Sequence, residues 1–353
     1  YTRVHNPVDH KIMDLGQNAR LIHLKAGEKK VQKLAMYSHL PDFARKMEDF
    51  RENHGLRYDL VFSHYWLSGC VATYLQQWWH IPHISMFHTL GALKNATGIG
   101  EDESQLRIVT EGDVAKNCHH IIATTERERK ELILRYNASP QKITVIPCGV
   151  NLERFQPADK ETAKLKLGLD DEKIILYVGR IEPLKGVEQL LKAMPYLQNI
   201  QGLRLVIIGG DRYGEQEIEK LQKLSLRLHV QDMVTFRGFI KHEQLPYFYS
   251  ASDACVVPSY YESFGLVVLE SLACGTPVVA TDVGDLKSII RQGETGYVVP
   301  DNDPQHLADK INLLLSRQLD MESALKIRAS VSAFDWSTIA QVVIRELSQV
   351  MAN

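Results

Sequence analysis

Short runs rich in Val, Ile and Leu alternate along this chain with longer stretches whose apolar residues recur at helical spacing, and the alternation happens twice. Repeated strand and helix units of this kind predict a parallel sheet with helices packed on its faces. In the first half, strands are expected over 58–64, 83–88, 120–124 and 142–147, with helices around 40–53, 66–79, 101–117 and 126–136. In the second half, strands are expected over 173–178, 203–208, 233–237, 254–257, 277–280 and 296–298, again with helices between them. The segment 147–157, bounded by Pro147 and Pro157 and carrying Gly149, suits an interdomain linker. The expected fold class is therefore α/β, with two doubly wound, Rossmann-like domains facing each other. The first is expected over 1–150 and the second over 151–335; a terminal helix in 336–353 is expected to return toward the first. Such a pair lines one cleft with the carboxyl ends of both sheets, where ligands bind.

At 353 residues the chain is long for one core, in agreement with two domains. Its 41 Lys and Arg against 43 Asp and Glu leave a formal net charge of -2, which provides no electrostatic footprint for nucleic acid. The basic stretches 25–33 and 127–130 read as solvated faces. No apolar run approaches the roughly 20 residues of a membrane span and no signal-peptide core is visible. A cytoplasmic protein is expected, with peripheral membrane contact left open. The five cysteines (Cys70, Cys118, Cys148, Cys255 and Cys274) are odd in number and scattered through apolar segments. They read as reduced packing residues, not as a disulfide framework or zinc site. Tyr1-Thr2-Arg3 resembles the end of a strand already under way, so further residues are expected to precede it in the native protein.

Chemistry concentrates in two places in the second half. Glu262-Ser-Phe-Gly-Leu-Val-Val-Leu-Glu270 sets two carboxylates eight positions apart across a loop-to-helix junction, directly after the apolar run 254–257. Ser263 is a suitable N-cap for a helix whose first free N–H groups belong to Phe264, Gly265 and Leu266, and such an end attracts phosphate. Gly265 leaves the phosphate room, Glu262 could hold sugar hydroxyls, and Glu270 could accept from a ribose diol. The same residues would equally serve an ordinary capped helix in a parallel sheet. The second cluster, GRIEPLKG at 179–186, follows another strand and places Arg180 and Lys185 where a doubly wound sheet binds ligands. Two cations beside a helix start suit a diphosphate, which arginine binds bidentately and lysine meets as a mobile point charge. Together the clusters favour a nucleotide-sugar site. Asp301-Asn-Asp303 has a metal-binding form, but Pro304 follows it, so Asp303 is expected to cap a helix and no metal site is assigned.

These segments resemble glycosyltransferase family 4, retaining enzymes of the GT-B fold. The resemblance rests on GRIEPLKG at 179–186, LVIIGGD at 205–211, VTFRGFI at 234–240, the block from Ser259 to Ile290, IPCGVNLERFQP at 146–157 and GETGYVVP at 293–300, and it covers nearly the whole chain. It implies that Arg180 and Lys185 neutralise the donor diphosphate, that Glu262 orients the transferred sugar and that Glu270 binds the ribose. Backbone groups near Phe239 and Ile240 would edge the base pocket. RYDLVFSHYWLSG at 57–69, FHTLGALKN at 87–95 and the helix holding Arg107 and Glu111 look like the branch of sucrose-phosphate synthases and inositol-phosphate glycosyltransferases. In that branch the acceptor often carries a phosphate, which makes Lys33, Tyr65, Thr89 and Arg107 its expected binding residues and places His88 beside the reacting sugar. His64, at another strand end, is expected to anchor the acceptor wall. The branch's proline after Gly27 has no counterpart in this sequence, nor has its amino-terminal glycine-rich loop, which in relatives closes over donor and acceptor, so an incomplete site is expected.

The resemblance implies transfer of a hexose, glucose from UDP-glucose above all, to a small sugar or sugar-phosphate acceptor, with no cofactor beyond the nucleotide-sugar co-substrate and no metal. No carboxylate stands out as a nucleophile, so same-face attack is preferred over a covalent intermediate. A UDP-sugar epimerase of the same fold, a glycosyltransferase of lipid or polysaccharide assembly, and a non-catalytic nucleotide-binding module are the alternatives. The run from Gly209 to Gly214 lacks the Gly-x-Gly-x-x-Gly spacing of a dinucleotide-dependent oxidoreductase.

Overall fold

The computed structural model describes residues 12–16, 18–27, 34–169, 173–210, 215–317 and 319–352. It opens on an antiparallel hairpin of β1 (Ile12–Gly16) and β2 (Ala19–Ile22), for which the apolar pattern gives no strand signal. Asn18, at φ 66°, supplies the left-handed residue that a tight hairpin turn requires. Then follow α1 (Leu40–Asn53), β3 (Val61–His64), α2 (Trp66–Trp79), β4 (His83–Met86), α3 (Gly91–Asn95), α4 (Gln105–Asn117), β5 (His120–Ala123), α5 (Glu126–Tyr136) and β6 (Ile143–Val145). The four strands after the hairpin form one parallel sheet in the order β3-β4-β5-β6. Three expected helices, α1, α2 and α5, match their predicted bounds. The strands are shorter than the apolar runs that announce them, in part because buried residues continue past the end of a ladder. Phe87, for example, is buried beyond the end of β4, and His88 at φ 62° turns the chain out of the sheet.

The second half runs α6 (Lys160–Leu167), β7 (Lys173–Val178), α7 (Val187–Ala193), β8 (Leu203–Ile208), α8 (Glu215–Arg227), β9 (Val234–Gly238), α9 (Leu245–Ala251), β10 (Ala254–Val257), α10 (Leu266–Ala273), β11 (Val278–Thr281), α11 (Leu286–Ile289) and β12 (Gly296–Val299). Its six-stranded sheet has the order β12-β11-β10-β7-β8-β9, with every pair parallel. Both faces of this sheet are covered. Ile174, Leu176, Val206 and Ile208 enter one core, while Ile175, Tyr177, Leu205 and Ile207 enter the other. Strands buried on both sides read as unbroken apolar runs, and these were legible for that reason. The chain leaves β7 in one direction through β8 and β9, then crosses back to build β10, β11 and β12 on the other side. The crevice between the carboxyl ends of β7 and β10 is thus the topological switch point.

Three helices close the chain: α12 (Pro304–Leu315), α13 (Met321–Ala329) and α14 (Trp336–Ala352). Asp303 caps α12 as expected, accepting from the N–H groups of Gln305 and His306, and its neighbour Asp301 is engaged by the His306 ring. The α14 helix lays Ile339, Val343 and Leu347 against Ile84, Ile122 and Ile146, and its Glu346 accepts from Thr144 at 2.9 Å. All five cysteines are free, and burial pushes the thiols of Cys148 and Cys255 up to about 12, as inert packing residues require. No helix among the described residues is long and apolar enough to cross a membrane.

His83, which starts β4, an inner strand of the four-stranded sheet, is fully buried, with its Nε2 2.7 Å from Ser63 Oγ. Burial, then the nearby charges of His119 and Lys142, lowers its pKa to about 3 from an ordinary 6.5. Between those two values the unfolded chain takes up a proton that the native imidazole refuses. Stability is therefore full above the unfolded value and falls as the pH drops through this window. Urea titrations between pH 7 and pH 4 are expected to show a smaller acid slope for His83→Gln than for the wild type, by up to about 1.4 kcal/mol per pH unit. An unchanged slope would assign the acid sensitivity to other groups.

Candidate active site

Both sequence clusters meet at the switch point. After β7 the chain passes through Gly179 and Arg180 into a single turn, Pro183–Lys185, and Gly186 at φ 66° starts α7. A Cβ at Gly186 would collide with the Pro258 carbonyl, so only glycine lets this loop lie against the end of β10. The Tyr260 N–H donates to Leu184 O at 2.9 Å and locks the two loops together. As a result Lys185 Nζ stands 2.5 Å from Glu262 Oε1, and Ser259 Oγ donates to the same oxygen at 2.8 Å. The Arg180 side chain is 69% exposed and pairs with Glu182 at 2.9 Å, while the buried Tyr177 hydroxyl donates to its backbone carbonyl.

The helix start differs from expectation. Ser263 does not cap α10: the N-cap is Gly265, at φ 103°, and it has no side-chain capping bond. Leu286 closes on the α carbon of Gly265, leaving no room for a side chain there, so the turn into the helix falls two residues later than the local capping rule suggests. Leu266 is the first helical residue, and Ser263, Phe264 and Gly265 belong to the loop before it. The Phe264 ring is in the core, so its side chain is closed to a ligand. Glu270, one helical turn into α10, is held at both oxygens: Tyr249 OH donates to Oε2 at 2.8 Å and His242 Nε2 lies 3.0 Å from Oε1. Phe239 is 75% exposed, whereas Ile240 is half-buried against the core.

Across the cleft, His64 ends β3 and His88 follows β4. Their rings stack with centroids 5.0 Å apart, and His64 Nδ1 lies 2.8 Å from His88 Nε2. Burial lowers both imidazoles, His88 to about 4 with His64 adding to the effect, so both are neutral at pH 7. His88 can thus exchange hydrogen bonds with a sugar but brings no charge. His88 at φ 62° and Tyr65 at φ 75° are non-glycine residues in the left-handed region, a strain that concentrates at functional sites.

The expected acceptor residues are partly assembled. Arg107 Nη2 donates to Thr89 O and Thr89 Oγ1 at 2.9 Å, and its guanidinium lies 5.1 Å from the Tyr65 ring centroid. Arg107 itself departs from the expectation of an open phosphate ligand. Its side chain is 1% exposed, with Nε 2.6 Å from Glu111 Oε1 and Nη1 2.7 Å from Glu103 Oε1. The reason is that the α4 charges sit beneath the Thr89–Gly91 loop, where a buried cation needs buried carboxylates. Glu111 also accepts from Gly91 N and from Tyr136 OH. Lys33 lies outside the described residues, as does the run from Asp211 to Gly214. The halves meet directly where Leu90 N donates to Tyr261 OH at 3.4 Å. A pocket of about 130 Å³ between them is lined by Thr97, Thr125 and Glu128 from the first half and Tyr261, Glu262 and Ser263 from the second.

Ser259, Tyr261, Tyr249 and His242 were not singled out from sequence. Each lies in or beside an apolar or turn segment where nothing local distinguishes it from a packing residue; Tyr261, Tyr249 and His242 meet partners distant along the chain, while Ser259 meets Glu262 across the short loop after β10.

The family profile described as Glycosyltransferase Family 4 matches residues 19–154, and that described as Glycosyl transferases group 1 matches 159–330. The chain is 38% identical over 306 residues to a D-inositol 3-phosphate glycosyltransferase of Frankia alni, covering 84% of this chain and 75% of the relative. It is 34% identical to the enzyme of that name from Corynebacterium jeikeium, over 97% of this chain and 85% of the other. Among solved structures, sucrose-phosphate synthase from Thermosynechococcus elongatus superposes with a TM-score of 0.87 at 34% identity, covering 98% of this chain and 87% of that one. Anabaena HepE in complex with UDP-glucose shares the fold, with a TM-score of 0.74 at 22% identity over 90% of this chain and 84% of its own. The chain is a member of glycosyltransferase family 4, a retaining hexosyltransferase of the GT-B fold.

Proposed function

We propose that this enzyme transfers glucose from UDP-glucose to a small sugar or sugar-phosphate acceptor, by same-face attack and without a metal ion. The observation that carries the reading is the Lys185–Glu262 pair at the switch point, with His88 and Leu90 on the opposite wall of the cleft. Departure of a nucleoside diphosphate builds negative charge, and stabilising that charge is the main electrostatic task. Arg180 and Lys185 perform it, with the loop N–H groups of Ser263 to Leu266 as additional donors. Lys185 exchanges its carboxylate partner for phosphate oxygens, which frees Glu262 to accept from hydroxyls of the transferred sugar. Glu270 takes the ribose, and the base lies along Phe239 and Ile240. Neutral His88 hydrogen-bonds the transferred sugar. The acceptor lies toward Tyr65 and Thr89, with Arg107 holding Thr89 in place. The acceptor's proton passes to the departing phosphate oxygen. The UDP-glucose complex of HepE supports the donor, and the names of the similar enzymes support a phosphorylated acceptor.

A thermal-shift screen of UDP, GDP and ADP tests the donor. UDP at one hundred times its Kd is expected to stabilise the fold by about 2.7 kcal/mol. UDP-glucose turnover is then measured with inositol phosphate, fructose 6-phosphate, unphosphorylated sugars or no acceptor. Release of UDP that requires a phosphorylated acceptor is the expected result; conversion of the donor to an isomeric UDP-sugar with no acceptor would mark an epimerase instead.

A further inference from the structure

Glu270 is aimed by residues outside its own helix. His242, in the loop between β9 and α9, bridges it to Arg154, in the segment between β6 and α6. Arg154 Nη1 lies 3.0 Å from His242 Nδ1, and His242 Nε2 lies 3.0 Å from Glu270 Oε1. A guanidinium only donates, so Nδ1 must be the acceptor, which leaves the imidazole neutral with its proton on Nε2. That proton is the one donated to the carboxylate. Arg154 thus selects the tautomer, much as an outer partner fixes a ligand histidine in a metal site. The ring is also set edge-on against the buried Phe155, with centroids 5.0 Å apart at 70°. With Tyr249 on the other oxygen, the carboxylate is fixed in one rotamer and each oxygen keeps a lone pair for one more hydroxyl.

We propose that Arg154 and His242 are positioning residues that present Glu270 to the ribose diol, and that this relay sets the enzyme's preference for ribonucleotides over nucleotides lacking those hydroxyls. The inference rests on the reading of Glu270 as the ribose ligand. A free glutamate would lose side-chain entropy on binding, whereas a pre-aimed one has lost it already.

The test is calorimetric binding of UDP, ADP and GDP, each beside its 2′,3′-dideoxy counterpart, to the wild type, His242→Ala and His242→Gln. The wild type is expected to prefer the ribose form of its best nucleotide by at least tenfold. His242→Ala is expected to weaken that nucleotide about tenfold while changing the dideoxy form less than twofold, so the preference collapses. His242→Gln, whose amide N–H reaches the same oxygen, is expected to restore most of it. Equal losses for both forms in His242→Ala, or a preserved preference, would overturn the relay while leaving Glu270 as ribose ligand. A wild type that binds both forms alike, or binds none of the three nucleotides, would remove the ribose reading itself and the relay with it.

Discussion

Lys185→Ala is expected to lower kcat by roughly two to three orders of magnitude, in line with removing one preorganised donor from a developing negative charge. The lysine has two tasks in turn. Before the donor binds it neutralises Glu262, a carboxylate that is mostly shielded from water; in the proposed transition state it faces the departing diphosphate. Losing it therefore removes charge stabilisation and, among the described residues, leaves Glu262 the Ser259 hydroxyl as its hydrogen-bond partner. Glu262→Ala is expected to lower kcat to a similar degree by a different route, since the transferred sugar loses its acceptor group and Lys185 becomes a free cation that binds the diphosphate more tightly. The two variants separate in donor affinity: Kd for UDP rises in Lys185→Ala and falls or holds in Glu262→Ala. Steady-state kinetics and calorimetry with UDP check both, with circular dichroism to confirm an intact fold. Wild-type turnover in Lys185→Ala would remove this residue from the mechanism.

The second large effect concerns stability. Glu111→Ala strips the buried Arg107 of its closest counter-charge and takes the acceptor from Gly91 N–H and Tyr136 OH at the same time. Breaking a buried pair by removing one partner costs about 3–5 kcal/mol, because the remaining charge is left uncompensated in a poorly solvating interior. Glu103 keeps part of the compensation, which places the expected loss near the lower end of that range. Replacing both partners, Arg107→Leu with Glu111→Leu, is expected to recover much of the loss, since no orphan charge remains. Urea denaturation measures all three proteins. A loss below about 1 kcal/mol in Glu111→Ala would show that the Thr89–Gly91 loop is held by its apolar contacts instead of by this network. That loop follows directly on His88, so the same variant tests whether the histidine's position depends on the carboxylate: its kcat is expected to fall with acceptor KM raised.

Much of the fold was legible because its causes are local. The continuous apolar runs of β7 and β8 reflect burial on both faces, and their predicted bounds match the observed ones. Asp303 followed by Pro304 announces the start of α12, since a cap acts on N–H groups only two or three residues away. The β1–β2 hairpin was missed because both strands are largely exposed and carry no core-facing apolar alternation. Ser263 misled for a related reason. The capping rule sees a serine before an apolar helix, but the close approach of Leu286 to Gly265 moves the turn, and that neighbour is remote in sequence.

The candidate site divides in the same way. Glu262, Glu270, Arg180 and Lys185 could be singled out from the chain because their residue types follow strand ends in a doubly wound pattern, which determined the fold class and the kind of ligand its chemistry suits. That Lys185 and Glu262 are one ion pair, that His88 is neutral against His64, that Arg107 is buried among carboxylates and that His242 aims Glu270 were decided only in three dimensions. A side chain's charge state and hydrogen-bond partners depend on burial and on groups brought close by the crossover between strands. Periodicity reports which face of an element is apolar, while the pairing of polar groups at the switch point is set by how two loops from β7 and β10 pack against each other.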